Sequence, residues 1–427
     1  MGARYGALGL VFAGVAALAA CSPEWPDPPP RCAVGHLLAP ISVNDPATGR
    51  AAAVGSGAPS FQSVLRQALT DRRGQGRPPP GAEPPAQAVL ALSGGGAWGG
   101  FGAGFLQGWR QASDRGEAIP DRPAFDIVTG ISTGALIAPF AFINSADADA
   151  AVVRLYREAD DSKILEERGL FSLLSANGRA GLGPLTDLVR TAIDARFEAI
   201  QAAARDGRKL FVGVVDLRDS QFYSIDLSAL SLDERIGSRD TRVDCFTRYL
   251  VASSAVPIAF DPVNLAVDAP AGTEAVVSGE RFYVDGGARL VVYLDLIDRT
   301  MRSMAGGAGG PGDASATRMS LFVIMNADLA PDPVERVQPG LFSLANRSSS
   351  VVTDQLSRDA LAAVLEQGEA AGFRRRYVLA PGDTCSRETG QTFDPAFINC
   401  LADYAAQLWQ DVAEPWCSGG ICPTPSP

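Results

Sequence analysis

A serine between two glycines is the residue of this chain best suited to nucleophilic chemistry. Ser132 stands in Gly130-Ile131-Ser132-Thr133-Gly134, after an apolar run at 125–128 and before a second one at 135–142. This order predicts a buried strand, a sharp turn and a helix, which together expose a nucleophilic serine at the tip of the turn. An ordinary packing turn is the alternative, because short glycine patterns arise by chance in a chain with 45 glycines.

A serine nucleophile needs a base, and the sequence favours a carboxylate over a histidine. The only histidine, His36, lies in a Pro-, Ala- and Gly-rich stretch without the rigid support that a catalytic base needs. We therefore expect no Ser-His-Asp triad. Asp285 is the candidate base, since it follows the predicted strand Phe282–Val284. A free Asp, with a pKa of about 3.9, is a weak base, so burial or a hydrogen bond with Ser132 would have to raise its basicity. The alternative is a turn-forming Asp before two glycines.

A glycine loop at 93–100 lies between a predicted strand at 88–92 and a predicted helix at 101–112. Its backbone N–H groups could hold an oxyanion, and the candidate donors are Gly94, Gly95 and Gly96. The same glycines, with Gly99, fit a dinucleotide-binding fingerprint, which also requires an acidic residue at the end of a second strand about 20 residues on. Glu117 and Asp121 lie instead in a polar, Pro-flanked loop, which disfavours a nucleotide. A tight packing turn stays open as a third interpretation.

Four blocks of this sequence, in this order, resemble those of patatin-like phospholipases: residues 91–99, 130–134, 252–257 and 284–287. Strands that alternate with helices predict α/β layers around a mostly parallel sheet. The resemblance implies a three-layer α/β/α fold of this kind, with Ser132 as nucleophile, Asp285 as base and an oxyanion hole at Gly94–Gly96. It implies acyl transfer from lipid or other acyl esters to water through an acyl-serine, without a cofactor.

Three features depart from the family's pattern, and the mildest is Thr133, at the start of the helix, where Ala is usual. Trp98 stands where the family often has Arg or Lys, a cation that could help to bind phosphate. The Asn-x-Pro that commonly follows Asp-Gly-Gly is replaced by Leu290–Leu294. The alternative to an enzyme is a catalytically silent patatin-like lipoprotein that binds a lipid or a protein partner.

The N-terminus predicts export and lipid anchoring. Arg4 and the apolar run Leu8–Leu18 are typical of a signal peptide, and Leu18-Ala19-Ala20-Cys21 resembles a bacterial lipobox. That resemblance implies cleavage before Cys21 and acylation of Cys21. Ser22, rather than Asp, follows the cysteine, as in lipoproteins that are exported to the outer membrane, and the domain is then expected to face the periplasm. An ordinary secretory signal, with Cys21 in a disulfide, is the alternative.

Six cysteines besides Cys21 fit disulfides in an oxidising compartment. Their neighbourhoods favour the pairs Cys417–Cys422 and Cys385–Cys400, which leaves Cys32 and Cys245. A zinc site is disfavoured, because the chain has one His and no Cys-x-x-Cys pair.

Charge and organisation complete the prediction. A net charge of −11 without a Lys/Arg stripe disfavours nucleic-acid binding and charge-driven adhesion to anionic lipid. We expect a signal peptide at 1–20, a Pro/Gly-rich tether at 21–85 with a short helix at 60–70, a patatin-like catalytic domain at 86–380 and a helical, Cys-containing extension at 381–427. Within the domain we expect a helix over 147–166, a Gly/Leu-rich loop or cap near the site at 170–183 and a Gly-rich surface insertion at 304–316. The partners expected are an acyl-ester substrate and the membrane, and the protein is expected to be a monomer.

Overall fold

The computed structural model describes residues 31–32, 38, 59–75, 86–164, 166–167, 180–267, 279–307, 319–328, 341–366, 373–382, 384–386, 393–418 and 421–424. The predicted signal peptide, Cys21 and His36 lie outside these residues. So does most of the segment 170–183, which the sequence predicts as a loop or cap near the site. Within the described residues, no helix is long and apolar enough to cross a membrane.

An eight-stranded sheet forms the centre of the protein. The strands are β1 (Gln87–Leu92), β2 (Ile127–Ile131), β3 (Lys209–Asp216), β4 (Gln221–Asp226), β5 (Val263–Val267), β6 (Gly279–Asp285), β7 (Met319–Met325) and β8 (Arg374–Leu379). Their spatial order is β8-β7-β1-β2-β3-β6-β5, with β4 also paired to β3. Neighbours from β8 to β3 pair in parallel, whereas β4 and β6 run antiparallel to β3, and β5 antiparallel to β6. The prediction of a mostly parallel α/β sheet is confirmed.

The central strands are apolar because helices cover the sheet. Every residue of β1 and β2 is buried, as expected for parallel strands enclosed on both faces. The helices are α1 (Phe61–Gln75), α2 (Gly99–Asp114), α3 (Thr133–Ile143), α4 (Ala146–Arg157), α5 (Gly183–Asp194), α6 (Phe197–Arg205), α7 (Leu227–Leu232), α8 (Arg239–Ser253), α9 (Leu294–Gly307), α10 (Leu341–Glu366) and α11 (Pro395–Asp411). Short helical turns lie at Gly96–Trp98, Asp161–Ile164, Glu234–Ile236 and Gly286–Ala288, and a two-residue pairing joins Glu166–Glu167 to Ala180–Gly181.

The helix predicted over 147–166 is interrupted. It ends at Arg157, and a separate short helix occupies Asp161–Ile164. Asp160 explains the break, since its carboxylate accepts a hydrogen bond from the amide of Ser162 at 2.8 Å. An Asp that binds the amide two residues on offers the backbone an alternative to a continuing helix.

Strand β3 brings the ends of β2 and β6 together. Strand β4 occupies one edge of β3 from Phe211 to Asp216, so β2 and β6 share the other edge. On that edge Ile131 pairs with Gly213, and Asp285 pairs with Val214, the next residue along β3. The two strands approach from opposite directions, and therefore the residue after Ile131 meets Asp285.

Two segments outside the predicted catalytic domain pack into it. Phe61 of α1 is fully buried and contacts the rings of Phe211 and Tyr293 at 5.2 and 4.9 Å. Helix α11 lies on α2, where the Trp409 and Trp109 rings stack at 5.5 Å. The helix predicted at 60–70 therefore belongs to the core, as does the helix of the C-terminal extension.

Three disulfides connect the described cysteines: Cys32–Cys245, Cys385–Cys400 and Cys417–Cys422. These are the three pairs that the sequence favoured or left over. The first joins the segment before α1 to helix α8, the second joins the segment after β8 to α11 at Cys400, and the third follows α11.

Candidate active site

Ser132 occupies a sharp turn between β2 and α3. Its backbone adopts φ 54° and ψ −125°, a conformation that costs a non-glycine residue about 1–3 kcal/mol and persists only where the surroundings enforce it. Gly134 permits the turn, because a Cβ there would lie 2.5 Å from the carbonyl oxygen of Leu92. The Ser132 side chain makes no capping bond to α3, so its hydroxyl is available for another partner.

That partner is Asp285, at the carboxyl end of β6. Its side chain is 3% exposed, and its Oδ1 accepts a hydrogen bond from the amide of Gly287 at 2.7 Å. Burial raises the pKa of Asp285 from 3.8 to about 7, although hydrogen bonds from Ser132 and the Gly287 amide oppose the rise. Ser132 therefore lies within hydrogen-bonding reach of the Asp285 carboxyl, which is buried.

The end of helix α8 connects the turn to β6. The Ser253 hydroxyl accepts from the amide of Ser132 at 3.1 Å and donates to the carbonyl of Gly213 at 2.6 Å. The Ser254 hydroxyl donates to the carbonyl of Ser132 at 3.1 Å. One residue further on, Ala255 O accepts from the amide of Asp285 at 2.9 Å. The block at 252–257 therefore fixes both sequence-predicted residues, a role that the sequence did not assign to it.

The glycine loop lies directly against the serine. A Cβ built on Gly94 would lie 3.2 Å from the Cβ of Ser132. The amide of Gly94, however, donates to the carbonyl of Val291 at 3.0 Å, so it is already engaged. Among the hydrogen bonds of the described residues, none takes the amides of Gly95 and Gly96. Of the three amides predicted to donate to an oxyanion, those of Gly95 and Gly96 are therefore available, and that of Gly94 is not.

Asn326 holds the other side of the glycine loop, and sequence reasoning missed it. Its amide nitrogen donates to the Ser93 hydroxyl at 2.7 Å, and its Nδ2 donates to the Ser93 carbonyl at 2.9 Å. Gly95 has φ 150°, and a Cβ there would lie 1.6 Å from Asn326 O. The available signal was position: Asn326 directly follows the buried strand β7, and the carboxyl ends of parallel strands form the sites of such sheets.

The next turn of the loop is apolar. Trp98 is 9% exposed, and its ring meets that of Phe397 of α11 edge-on at 4.9 Å. The described residues contain no cluster of three or more His, Cys, Asp or Glu that could hold a metal ion. The groups of this site that are suited to chemistry are the Ser132 hydroxyl, the buried Asp285 carboxyl and the backbone amides of the glycine loop.

Comparison with known proteins agrees with this geometry. Residues 90–295 match the family model described as patatin-like phospholipase, an interval that contains the glycine loop, Ser132 and Asp285. No curated protein matches the chain. Among solved structures, the crystal structure of VipD from Legionella pneumophila is similar with a TM-score of 0.34 and 13% identity, over 77% of this chain and 67% of that one. Residues 90–295 therefore form a patatin-like phospholipase domain, the domain of a family of lipid acyl hydrolases.

Proposed function

We propose that the protein is a serine acyl hydrolase that cleaves lipid or other acyl esters through a Ser132–Asp285 dyad. The observation that carries the proposal is the hydrogen bond from Ser132 to a buried carboxylate whose pKa is raised to about 7. A base is most effective when its pKa lies near the working pH, and an ordinary Asp is far below it.

Each step assigns a role to a residue of this site. Ser132 Oγ attacks the ester carbonyl carbon, and its proton passes to the Asp285 carboxylate. The amides of Gly95 and Gly96 stabilise the negative oxygen of the tetrahedral intermediate. The C–O bond then breaks, and the leaving alcohol takes the proton from Asp285. Water, deprotonated by Asp285, attacks the acyl-serine, and the acid departs as Ser132 recovers its proton.

The surroundings of Trp98 bear on the substrate. A cation beside the glycine loop could bind phosphate, whereas Trp98 packs on Phe397 and offers no positive charge. We therefore include neutral acyl esters, as well as phospholipids and lysophospholipids, among the proposed substrates.

The test uses the purified full chain and a fluorophosphonate probe, which reacts covalently with activated serines. We expect probe labelling of Ser132, and hydrolysis of a short p-nitrophenyl ester that falls at least about 10³-fold in both Ser132→Ala and Asp285→Asn. The ratio kcat/KM should fall below about pH 7, as Asp285 becomes protonated. Ser231→Ala is the matched control, because Ser231 is also buried but its hydroxyl donates only to the carbonyl of Ser228.

Two outcomes would contradict the proposal. Retained activity in Ser132→Ala would remove the serine mechanism. A folded wild type that neither takes the probe nor turns over any of a panel of phospholipid, lysophospholipid and short-chain esters would favour a silent protein that binds a lipid or a partner.

We also propose that the protein is a monomer anchored by an acylated Cys21 to a bacterial envelope membrane, facing the periplasm. Disulfides support export, since they persist in oxidising compartments. Cys32 follows Cys21 by 11 residues, so the Cys32–Cys245 bond would hold the domain within about 40 Å of the anchor. Cells fed labelled palmitate should label the wild type and not Cys21→Ser. Equal labelling of both would contradict the anchor.

A further inference from the structure

Besides Asn326, a pair of hydroxyl groups contacts the glycine loop, those of Thr133 and Tyr156. The Thr133 hydroxyl donates to the carbonyl oxygen of Gly96 at 2.8 Å, and it also contacts the phenolic oxygen of Tyr156. Tyr156, on α4, is 7% exposed and lies 3.2 Å from the carbonyl of Thr133 as well. Gly99 makes room for the pair, because a Cβ there would lie 2.3 Å from the Thr133 hydroxyl.

Counting protons gives this contact a direction. Thr133 has one hydroxyl proton, and the Gly96 carbonyl, which can only accept, takes it. Tyr156 is then the donor in its contact with the Thr133 hydroxyl, and it shares the same phenolic proton with the carbonyl of Thr133 at 3.2 Å. Burial raises the pKa of Tyr156, so the phenol keeps its proton at neutral pH. The chain of hydrogen bonds therefore runs from Tyr156 to Thr133 to Gly96.

Side-chain packing does not hold Gly96, so hydrogen bonds must: besides Thr133, the amide of Gly99 donates to the Gly96 carbonyl, and the amide of Trp98 donates to the Gly95 carbonyl at 3.1 Å. A Cβ built on Gly96, which has φ 56°, would meet nothing within 4 Å. The preceding residues are fixed differently, by the contacts of Ser93 and Gly95 with Asn326. A glycine with open space beside it can reorient its peptide groups easily unless a hydrogen bond restrains one of them.

We propose that Thr133, oriented by Tyr156, is a positioning residue for the oxyanion hole. The inference rests on the proposed function, because it concerns the amides that would receive the oxyanion. Thr133 directly follows the nucleophile, so the same turn that presents Ser132 also aims the loop at it. The Gly96 carbonyl belongs to the peptide that follows Gly96. By holding this carbonyl, Thr133 fixes the backbone conformation of Gly96 and with it the direction in which the Gly96 amide, on the other side of its Cα, points at the developing negative charge. Pre-oriented donors stabilise a transition state without reorganisation during the reaction.

The experiment compares Thr133→Val, Thr133→Ser and Tyr156→Phe in the full chain. We expect Thr133→Val to lower kcat about 10- to 100-fold with KM changed less than threefold, since the amides remain but lose their orientation; loss of a whole donor costs about 10²–10³-fold. Thr133→Ser should retain activity within about threefold. Tyr156→Phe should have a smaller effect, and none when added to Thr133→Val, because its contribution passes through Thr133.

Thr247→Val is the matched control. Thr247 is also a buried helical threonine, but its hydroxyl has no hydrogen-bond partner among the described residues. Its replacement should leave kcat unchanged. Amide hydrogen exchange gives a readout independent of turnover: Thr133→Val should speed exchange of the Trp98 and Gly99 amides, which donate to the carbonyls of Gly95 and Gly96, and leave β1 and β2 protected.

The outcomes separate this inference from the function on which it rests. A wild type without turnover or probe labelling contradicts the proposed function. With an active wild type, the inference fails if Thr133→Val keeps kcat within twofold and loop exchange is unchanged. It also fails if Thr133→Ser loses as much activity as Thr133→Val, or if Tyr156→Phe and Thr133→Val reduce kcat independently.

Discussion

Burial of Asp285 makes its carboxylate a stronger base for the proposed reaction, but it also makes the charged form of this residue unfavourable in the folded protein. The pKa of the carboxyl is about 7 in the folded protein and 3.8 in its ordinary environment. The folded state therefore binds a proton more strongly than the unfolded state between these two values. Asp285 contributes stability that is fully present below about pH 4 and is lost as pH rises through about 7. The proposed base is charged, and useful, only where it destabilises the fold.

Asp285→Asn should remove this pH dependence. Asn can still accept from the Gly287 amide, but it carries no charge to bury. We expect the free energy of unfolding of the wild type, relative to the variant, to decrease by up to about 1.4 kcal/mol per pH unit between pH 4 and 7, and to level off above about pH 8. Urea titrations across this range measure the difference. Parallel curves for the two proteins would contradict the burial argument.

The sequence identified the candidate reacting residues better than it identified the residues that position them. Ser132 and Asp285 were identifiable because a strained turn and an Asp-Gly-Gly each have a sequence pattern. Asn326 was not identifiable, and Thr133 was noticed only as a departure from the family's usual Ala, since single polar residues at the ends of elements carry no pattern for the contacts that they make. The engagement of the Gly94 amide by Val291 depends on a contact across 197 positions (291 − 94), which spacing in the sequence does not reveal.

The elements were predicted well where they are apolar and central. Strand β2 and helix α3 lie where the apolar runs around Ser132 placed them. Strand β5 was missed, because a five-residue strand that pairs only with β6 shows little periodicity. Helix α9 was missed as well, and the predicted surface insertion at 304–316 begins within its last turn. Amphipathic helices beside glycine-rich sequence show weak boundaries.

The contact between α2 and α11 leads to a prediction that distinguishes tertiary packing from intrinsic helix propensity. Gly104 lies in the middle of α2, and a Cβ there would lie 2.3 Å from the carbonyl oxygen of Ala402 in α11. Helix propensity alone predicts that Gly104→Ala stabilises the protein by about 1 kcal/mol. We expect the opposite, a loss of about 1–3 kcal/mol, because α11 must move away from α2.

Thermal unfolding of Gly104→Ala provides the measurement. Gln111→Ala is the control, since Gln111 is exposed on the same helix, and it should change stability by less than about 0.5 kcal/mol. A higher melting temperature in Gly104→Ala would mean that α11 does not press on α2. The C-terminal extension would then be an appendage rather than part of the domain.

At the scale of the whole molecule, described segments on both sides of the patatin-like domain are attached to it. The N-terminal segment is joined to α8 through Cys32–Cys245, and α8 ends at the serines that hold the Ser132 turn. The C-terminal helix contains Cys400 of the second disulfide, precedes the third, and contacts the glycine loop through Phe397. The sequence predicted both ends as additions, because Pro- and Gly-rich composition describes local backbone and not where a segment packs.

The disulfides differ in how much they should stabilise this closed arrangement. Cys32 and Cys245 are 213 residues apart, whereas Cys417 and Cys422 are 5 apart. The entropy that a crosslink removes from the unfolded chain grows with loop length, which gives about 5 kcal/mol for the long loop and about 2 kcal/mol for the short one. Replacing both cysteines by serine should therefore lower the melting temperature more for Cys32/Cys245 than for Cys417/Cys422. Thermal unfolding of the two double variants, with wild type as reference, measures this order. Equal losses would mean that the N-terminal segment stays docked through its packing alone.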